Sequence, residues 1–207
     1  MTKGKFISVE GIDGAGKSTH LDYIKDYLKQ KSIEVVLTRE PGGTNLGESI
    51  RNLLLNGEGI HCVTELLLMF ASRQELINKV IAPSLTQGKW VLADRFVDAS
   101  YAYQGGGRNL GIDKVKCIAD LLEPNLTTDL TLLFDAPLEV AMKRVETNRI
   151  KDRLEREPYE FFAKVQDTYR NLALAEPNRV KVINTDQDKA QTQLQIKNHL
   201  DFLFSQK

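Results

Sequence analysis

The chain has 207 residues, 42% of them apolar and 27% charged, which provides for a substantial core and excludes disorder as the default state. Its 28 basic and 28 acidic residues cancel, which disfavours a broad nucleic-acid-binding face but leaves room for a local basic pocket. No apolar run is long enough to span a bilayer, no secretion signal precedes the first apolar run, and Cys62 and Cys117 have no neighbours at metal-ligand spacing, so a cytoplasmic protein with free thiols and neither membrane nor nucleic-acid partners is expected.

Strand-like runs recur along the chain: "KFISVEG", "EVVLTRE", "KWVLADR", "DLTLLFDA" and "RVKVINT". They are short and apolar at their centres, the pattern of strands buried on both faces, and the segments between them can hold crossover helices. They predict a three-layer α/β fold with about five parallel strands joined by right-handed connections, in one domain spanning 1–207. After the first run, Leu21, Ile24 and Leu28 recur at helical spacing. Leu46, Ile50, Leu53 and Leu54 form a second stripe, and Thr64 is placed to cap a longer helix carrying Leu67, Phe70 and Ile77. Ile196, Leu200 and Leu203 predict a last helix on the sheet, while His20, His61 and His199 are scattered and read as surface or packing residues. In such folds ligands collect outside the carboxyl ends of the strands, where Glu10, Arg39, Glu40, Asp94, Arg95 and Thr185 fall.

The first strand runs into "VEGIDGAGKST", in which Gly11, Gly16, Lys17 and Ser18 satisfy the phosphate-binding loop pattern. Glycines let backbone N–H groups converge on a phosphate, and a helix opening at Lys17 adds its positive end. Lys17 can reach the β- and γ-phosphates and Ser18 can ligate Mg²⁺. A strand, a loop and a helix in that order is the context the pattern needs, which points to nucleoside triphosphate binding. Asp94 and Arg95 emerge where the third run stops: an acid suited to Mg²⁺ and a planar fork suited to a phosphate. An ion pair at a strand end would read the same way without the loop.

In "TREPGGT" the Pro-Gly-Gly turn brings backbone close to whatever Arg39 holds. Phe70 and Arg73 share a helix face, fit either to stack a planar base or to serve as core and solvated side. "SYAYQGGGR" offers Ser100, Tyr101, Tyr103 and Gln104 to a base and sugar, or forms a plain loop whose glycines are mobile or tightly turned. The charge run 143–157 is either a solvated face or a lid that brings arginines over a transferring phosphoryl group. The phosphate loop has no basic residue before Lys17, which favours the lid.

Together "EGIDGAGKST", "TREPGGT", "FASRQE", "ADRFVDASYAYQGGGR" and "DRLERE" resemble the thymidylate kinase family in order and spacing, over essentially the whole chain. The resemblance implies a P-loop kinase fold that transfers the γ-phosphoryl group of ATP to dTMP, with Mg²⁺ as cofactor and a homodimeric state. It implies that Gly11, Ile12, Asp13, Gly14, Ala15, Gly16, Lys17, Ser18 and Thr19 bind the ATP phosphates and Mg²⁺; the residues themselves put Ser18 and Asp94 at the metal, and Arg144 and the turn after "VINT" are the candidates for the adenine side. Asp13 is similar to the loop acid near the dTMP sugar and phosphate, and Arg39 and Arg95 to clamps on the acceptor phosphate. Phe70 is similar to the ring that stacks on thymine and Arg73 to the residue facing its O4. Ser100 and Gln104 match positions near the N3 edge, and Tyr103 the ring against the sugar 2′ position. Arg149 and Arg153 fall in the lid, an arrangement similar to the common bacterial subtype, and join Lys17, Arg95 and Asp13 as candidate catalytic residues. The rival readings are a deoxynucleoside kinase, with Glu10, Asp13 or Asp94 as base for a sugar hydroxyl, and a regulatory ATPase.

Overall fold

The five apolar runs become the five strands of one parallel sheet in the computed structural model, which describes residues 4–145 and 152–205. The strands are β1 (Phe6–Glu10), β2 (Val35–Arg39), β3 (Trp90–Asp94), β4 (Leu130–Asp135) and β5 (Val180–Asn184), in the spatial order β2-β3-β1-β4-β5. The register sets Val9 and Arg39 each opposite Asp94, and Glu10 opposite Leu133, so the functional ends of β1, β2 and β3 finish at one level. Burial on both faces holds for β1, β3 and β4. The edge strands β2 and β5 depart from that expectation: Leu37 and Val182 are 44% and 45% exposed. Edge position explains this, because such strands have a neighbour on one side alone.

Helices cover both faces of the sheet, making the three layers. α1 (Lys17–Gln30), α8 (Tyr159–Ala175) and α9 (Lys189–Ser205) contribute Ile24, Leu28, Phe162, Val165, Ile196 and Leu200 to one core. The other core joins Phe6, Val91 and Phe96 to Leu66, Phe70 and Leu76 of α3 (Cys62–Leu76), Leu85 of α4 (Ala82–Thr86) and Val115 of α6 (Ile112–Ala119). A π-helical turn, Ile77–Ile81, joins α3 to α4.

Two helical stripes differ from the sequence pattern. In α2 (Asn45–Asn56) Ile50 and Leu54 are buried, whereas Leu46 and Leu53 are 49% and 56% exposed, so the helix packs one narrow edge. The cap of α3 is His61, whose ring accepts from the Val63 N–H; Thr64 lies inside the first turn and Leu67 faces outward.

The "SYAYQGGGR" segment is not a loop. α5 (Val97–Ser100) runs into a π-helix, Tyr101–Gly107, packed against α8. Its glycines serve close approach: a Cβ on Gly106 would stand 2.0 Å from Thr168 Oγ1, and one on Gly107 would stand 2.6 Å from the Phe161 ring. Of the expected lid, Lys143 and Arg144 end α7 (Leu138–Val145), and residues 152–157 form turns in which Asp152 Oδ1 accepts from the N–H groups of Leu154 and Glu155. Arg149 lies outside the described residues.

Candidate active site

The carboxyl ends of β1, β2 and β3 open into a cavity of about 480 Å³. The loop after β1 forms its floor. Gly16, at φ 94°, caps α1 in a left-handed conformation that a side chain would strain. A Cβ on Gly14 would lie 2.0 Å from the Ala141 carbonyl oxygen, so this glycine lets α7 and the loop touch. Asp13, Gly14, Gly16, Lys17, Ser18 and Thr19 line the cavity. Ile12 and Ala15 turn their side chains into the core, and Gly11 is buried against Phe134, so these three do not line it. The Lys17 ammonium, 6% exposed, donates to the carbonyls of Gly11 (2.8 Å) and Ile12 (3.0 Å) and lies 3.6 Å from Asp13. Burial lowers its pKa, Arg95 adds to that, and Asp13 and Asp94 oppose it.

Arg95 leaves β3 at φ 72°, a left-handed backbone for a residue with a side chain. Its guanidinium donates to Asp13 Oδ1 (2.9 Å) and to the Tyr103 hydroxyl (3.1 Å), and lies 4.8 Å from the centre of the Tyr103 ring. Burial pushes the Tyr103 hydroxyl far above its ordinary pKa against the pull of Arg95, so it stays a neutral donor. Arg39 reaches Glu48 at 3.0 Å and Arg51 donates to the Pro41 carbonyl at 2.9 Å; with Arg95 they bring three guanidiniums to one cavity. Asp94 also lines it, and its Oδ1 is buried with no hydrogen-bond partner among the described residues.

The far wall belongs to Arg73, 1% exposed on α3. Its Nε donates to Glu40 at 2.7 Å, and its Nη2 donates to the Phe96 carbonyl and to Ser100 Oγ, both at 3.1 Å. Its Nη1 has no partner among the described residues, and neither does Oε1 of Gln104. Both residues line the cavity, so one unpartnered donor and one unpartnered acceptor lie buried in its wall.

Most of the expected set therefore comes together: Asp13, Lys17, Ser18, Arg39, Arg73, Asp94, Arg95, Ser100, Tyr103, Gln104 and Arg144 share this cavity. Arg144 donates to the carbonyls of Gly14 (3.4 Å) and Thr185 (3.1 Å), tying the loop to the end of β5. Besides Gly11, Ile12 and Ala15, two further expected residues stand elsewhere. Phe70 is 4% exposed within the second core, where its ring backs the Arg73 guanidinium at 4.5 Å; the cavity wall at this turn is Met69. Arg153 does not line the cavity: it donates to the Leu54 carbonyl (2.8 Å) and to Glu65 (2.7 Å), fastening the segment after the charge run to α2 and α3. Glu10, a candidate base for a sugar hydroxyl, is fully buried, with one oxygen accepting from Phe96 N–H and the other from the Tyr169 hydroxyl.

Comparison with known proteins gives one consistent answer. The family model described as thymidylate kinase matches residues 9–196. The chain belongs to the thymidylate kinase family. Its reaction class follows from that membership: phosphoryl transfer from ATP to a thymidine nucleotide. It is similar to a thymidylate kinase of Ruthia magnifica, 50% identical over 199 residues, covering 95% of this chain and 97% of that one. A thymidylate kinase of Cupriavidus necator is 52% identical over 184 residues, covering 88% and 90% respectively. The crystal structure of thymidylate kinase from Ehrlichia chaffeensis superposes with a TM-score of 0.78 at 35% identity, covering 96% of this chain and 99% of that one.

Three residues at or beside the site escaped the sequence reading: Arg51, Glu65 and Met69. Glu40 and Arg73 were each visible in the sequence, but their pairing across 33 residues was not.

Proposed function

We propose that the chain carries the γ-phosphoryl group of ATP to the phosphate of dTMP by direct in-line transfer, giving dTDP and ADP, with the cavity residues in the following roles. The observation that carries this reading is the Asp13 carboxylate standing between Lys17 of the phosphate loop and Arg95 of the opposite wall. Donor and acceptor phosphates then meet over one cluster of charge. A phosphate monoester is largely dianionic near neutral pH, since its second pKa is about 6, so the acceptor needs no strong base. It needs alignment and cancellation of repulsion, which Lys17 supplies on the donor side and Arg39, Arg51 and Arg95 on the acceptor side. The loop glycines and the start of α1 cradle the ATP phosphates, and Arg144 with Thr185 stands towards the adenine.

Arg73 Nη1 donates to O4 of the thymine, Gln104 Oε1 accepts from N3–H, Met69 and Leu55 provide apolar wall, and Tyr103 faces the sugar. Phe70 holds Arg73 from behind. Mg²⁺ fits this site: the unpartnered Asp94 Oδ1 and the exposed Ser18 hydroxyl both line the cavity, a sparse oxygen set of the kind that holds the ion with phosphates and water. When bound, the ion neutralises charge on the β- and γ-phosphates. Homodimer formation is supported by apolar side chains left exposed on α2 and α3, Leu53, Val63 and Leu67 among them. A role in nucleotide synthesis in the cytoplasm goes with this activity; among the described residues no helix is long and apolar enough to cross a membrane.

The test offers ATP and Mg²⁺ with dTMP, with thymidine or with no acceptor. Formation of dTDP with dTMP alone is expected. Faster transfer to thymidine, or hydrolysis without an acceptor at a comparable rate, would overturn the proposal.

A further inference from the structure

Gln104 lies in the cavity wall with its Oε1 buried and unpartnered among the described residues, and an amide is a symmetric enough group to turn either way unless something fixes it. The other end of this amide is committed. Its Nε2 donates to Glu65 Oε1 at 2.8 Å. Glu65 is fully buried on α3 and also receives Arg108 Nε at 3.3 Å on Oε1, and on Oε2 receives Arg108 Nη2 at 3.1 Å and Arg153 Nη2 at 2.7 Å. Arg108 is itself held by Glu157 at 2.6 Å. Burial by itself raises the Glu65 pKa, but the bonds from Arg108, Gln104 and Arg153 outweigh it and keep the group below the usual carboxylate range. An ionised carboxylate only accepts, so only the NH₂ end of Gln104 can face it.

We propose that Glu65 is a positioning residue which fixes the hydrogen-bond polarity of the base-reading wall and so makes the cavity select a pyrimidine carrying N–H beside a carbonyl. The inference rests on the reading of this cavity as the dTMP site. Arg73 Nη1 is the donor of the pair and its orientation is fixed separately, by Glu40, Ser100 and the Phe96 carbonyl. Thymine and uracil match both groups through O4 and N3–H. Cytosine reverses both, placing an amino group before a donor and a bare ring nitrogen before an acceptor. A buried polar group left facing its own kind is what lets a site reject an analogue strongly. Glutamine at position 65 would present either end of its own amide and would lift the constraint on Gln104.

The experiment measures kcat/KM for dTMP, dUMP and dCMP with the wild type, Glu65→Gln, Gln104→Ala and the double variant, each checked for folding by thermal melting. The wild type is expected to favour dTMP over dCMP by at least about 100-fold, two reversed contacts each contributing about tenfold or more. Glu65→Gln should narrow that ratio about tenfold, leave the dTMP to dUMP ratio unchanged, and add nothing to the loss seen in Gln104→Ala. An unchanged dTMP to dCMP ratio in folded Glu65→Gln, or losses that add, overturns the proposal. If Glu65→Gln does not fold, the wild type decides: a coupling across the hydrogen bond between Gln104 Nε2 and Glu65 Cδ, seen by NMR in the dTMP complex, supports it, and its absence overturns it. A wild type inert towards dTMP overturns the functional reading itself.

Discussion

Arg95 Nη2 lies 2.9 Å from Asp13 Oδ1, and Lys17 Nζ lies 3.6 Å from the same oxygen. One carboxylate thus spaces two cations that would otherwise repel, and in the proposed reading each cation serves a different phosphate. Arg95→Ala removes the acceptor member of the set while leaving the loop after β1 intact. Turnover with dTMP is expected to fall at least about 100-fold, as for loss of a transition-state charge donor, with the Kd for ATP changed less than about threefold. Stopped-time assays together with titration calorimetry check both halves.

Asp94 Oδ1 has no partner among the described residues, although it is buried at the cavity. Asp94→Asn removes its charge at nearly constant shape. The Mg²⁺ concentration for half-maximal rate should rise several-fold and kcat fall by about tenfold or more, since a carboxylate is the better ligand for a hard cation. A magnesium titration of activity reads both, and chelation of Mg²⁺ should abolish turnover in either protein.

Met69 and Phe70 are consecutive but do different things. Met69→Ala should raise KM for dTMP several-fold with little loss of stability. Phe70→Leu should lower stability by about 1–2 kcal/mol, through core repacking at reduced ring contact, and change KM less. Steady-state kinetics beside thermal melts would separate them; the opposite pattern would return the base contact to Phe70.

The contact between the π-helix and α8 gives a prediction of stability alone. Gly106→Ala places a methyl 2.0 Å from Thr168 Oγ1 and 3.2 Å from the Lys164 carbonyl, and is expected to cost about 1–3 kcal/mol. Thr168→Ala in the same chain removes the hydroxyl and should restore part of that loss. Chemical denaturation of the single and double variants measures it.

Glu10 supplies a pH dependence whose sign is fixed. Burial first, and then Asp98, push its pKa up from 4.5 to about 8, against Arg95 and the hydrogen bonds from Tyr169 and Phe96. The folded chain therefore holds a proton that the unfolded chain has released, so this contribution is complete below pH 4.5 and is lost as pH rises towards 8. Glu10→Gln keeps the shape and removes the titration. Relative to the wild type its melting temperature should gain steadily from pH 5 to pH 8, by about 5 °C or more in total. A constant difference across that range would refute the assignment.

The sheet and the phosphate loop were legible in the sequence because their signals are local. Apolar runs mark strands, and Gly11 to Ser18 state their purpose within eight residues. Other features depend on chain segments meeting at long range. Glu65 gains its meaning from Gln104, 39 residues on, and from Arg153, 88 residues on. That Met69 and not Phe70 lines the cavity is a matter of helix phase, since neighbours on an α-helix point about 100° apart. The glycines after Gln104 were visible as glycines, but only the approach of α8 explains them.

The strand order has a consequence for how such a protein changes over time. The phosphate-loop pattern follows β1 at the centre, Arg39 and Arg95 stand at the ends of β2 and β3 on one flank, and Thr185 follows β5 on the other. Substitutions after β2 or β5 therefore fall beside the central loop, whereas those at the end of β3 reach it directly through Arg95 and Asp13. Change is therefore expected to be tolerated at the outer strands sooner than at the inner pair β1 and β3.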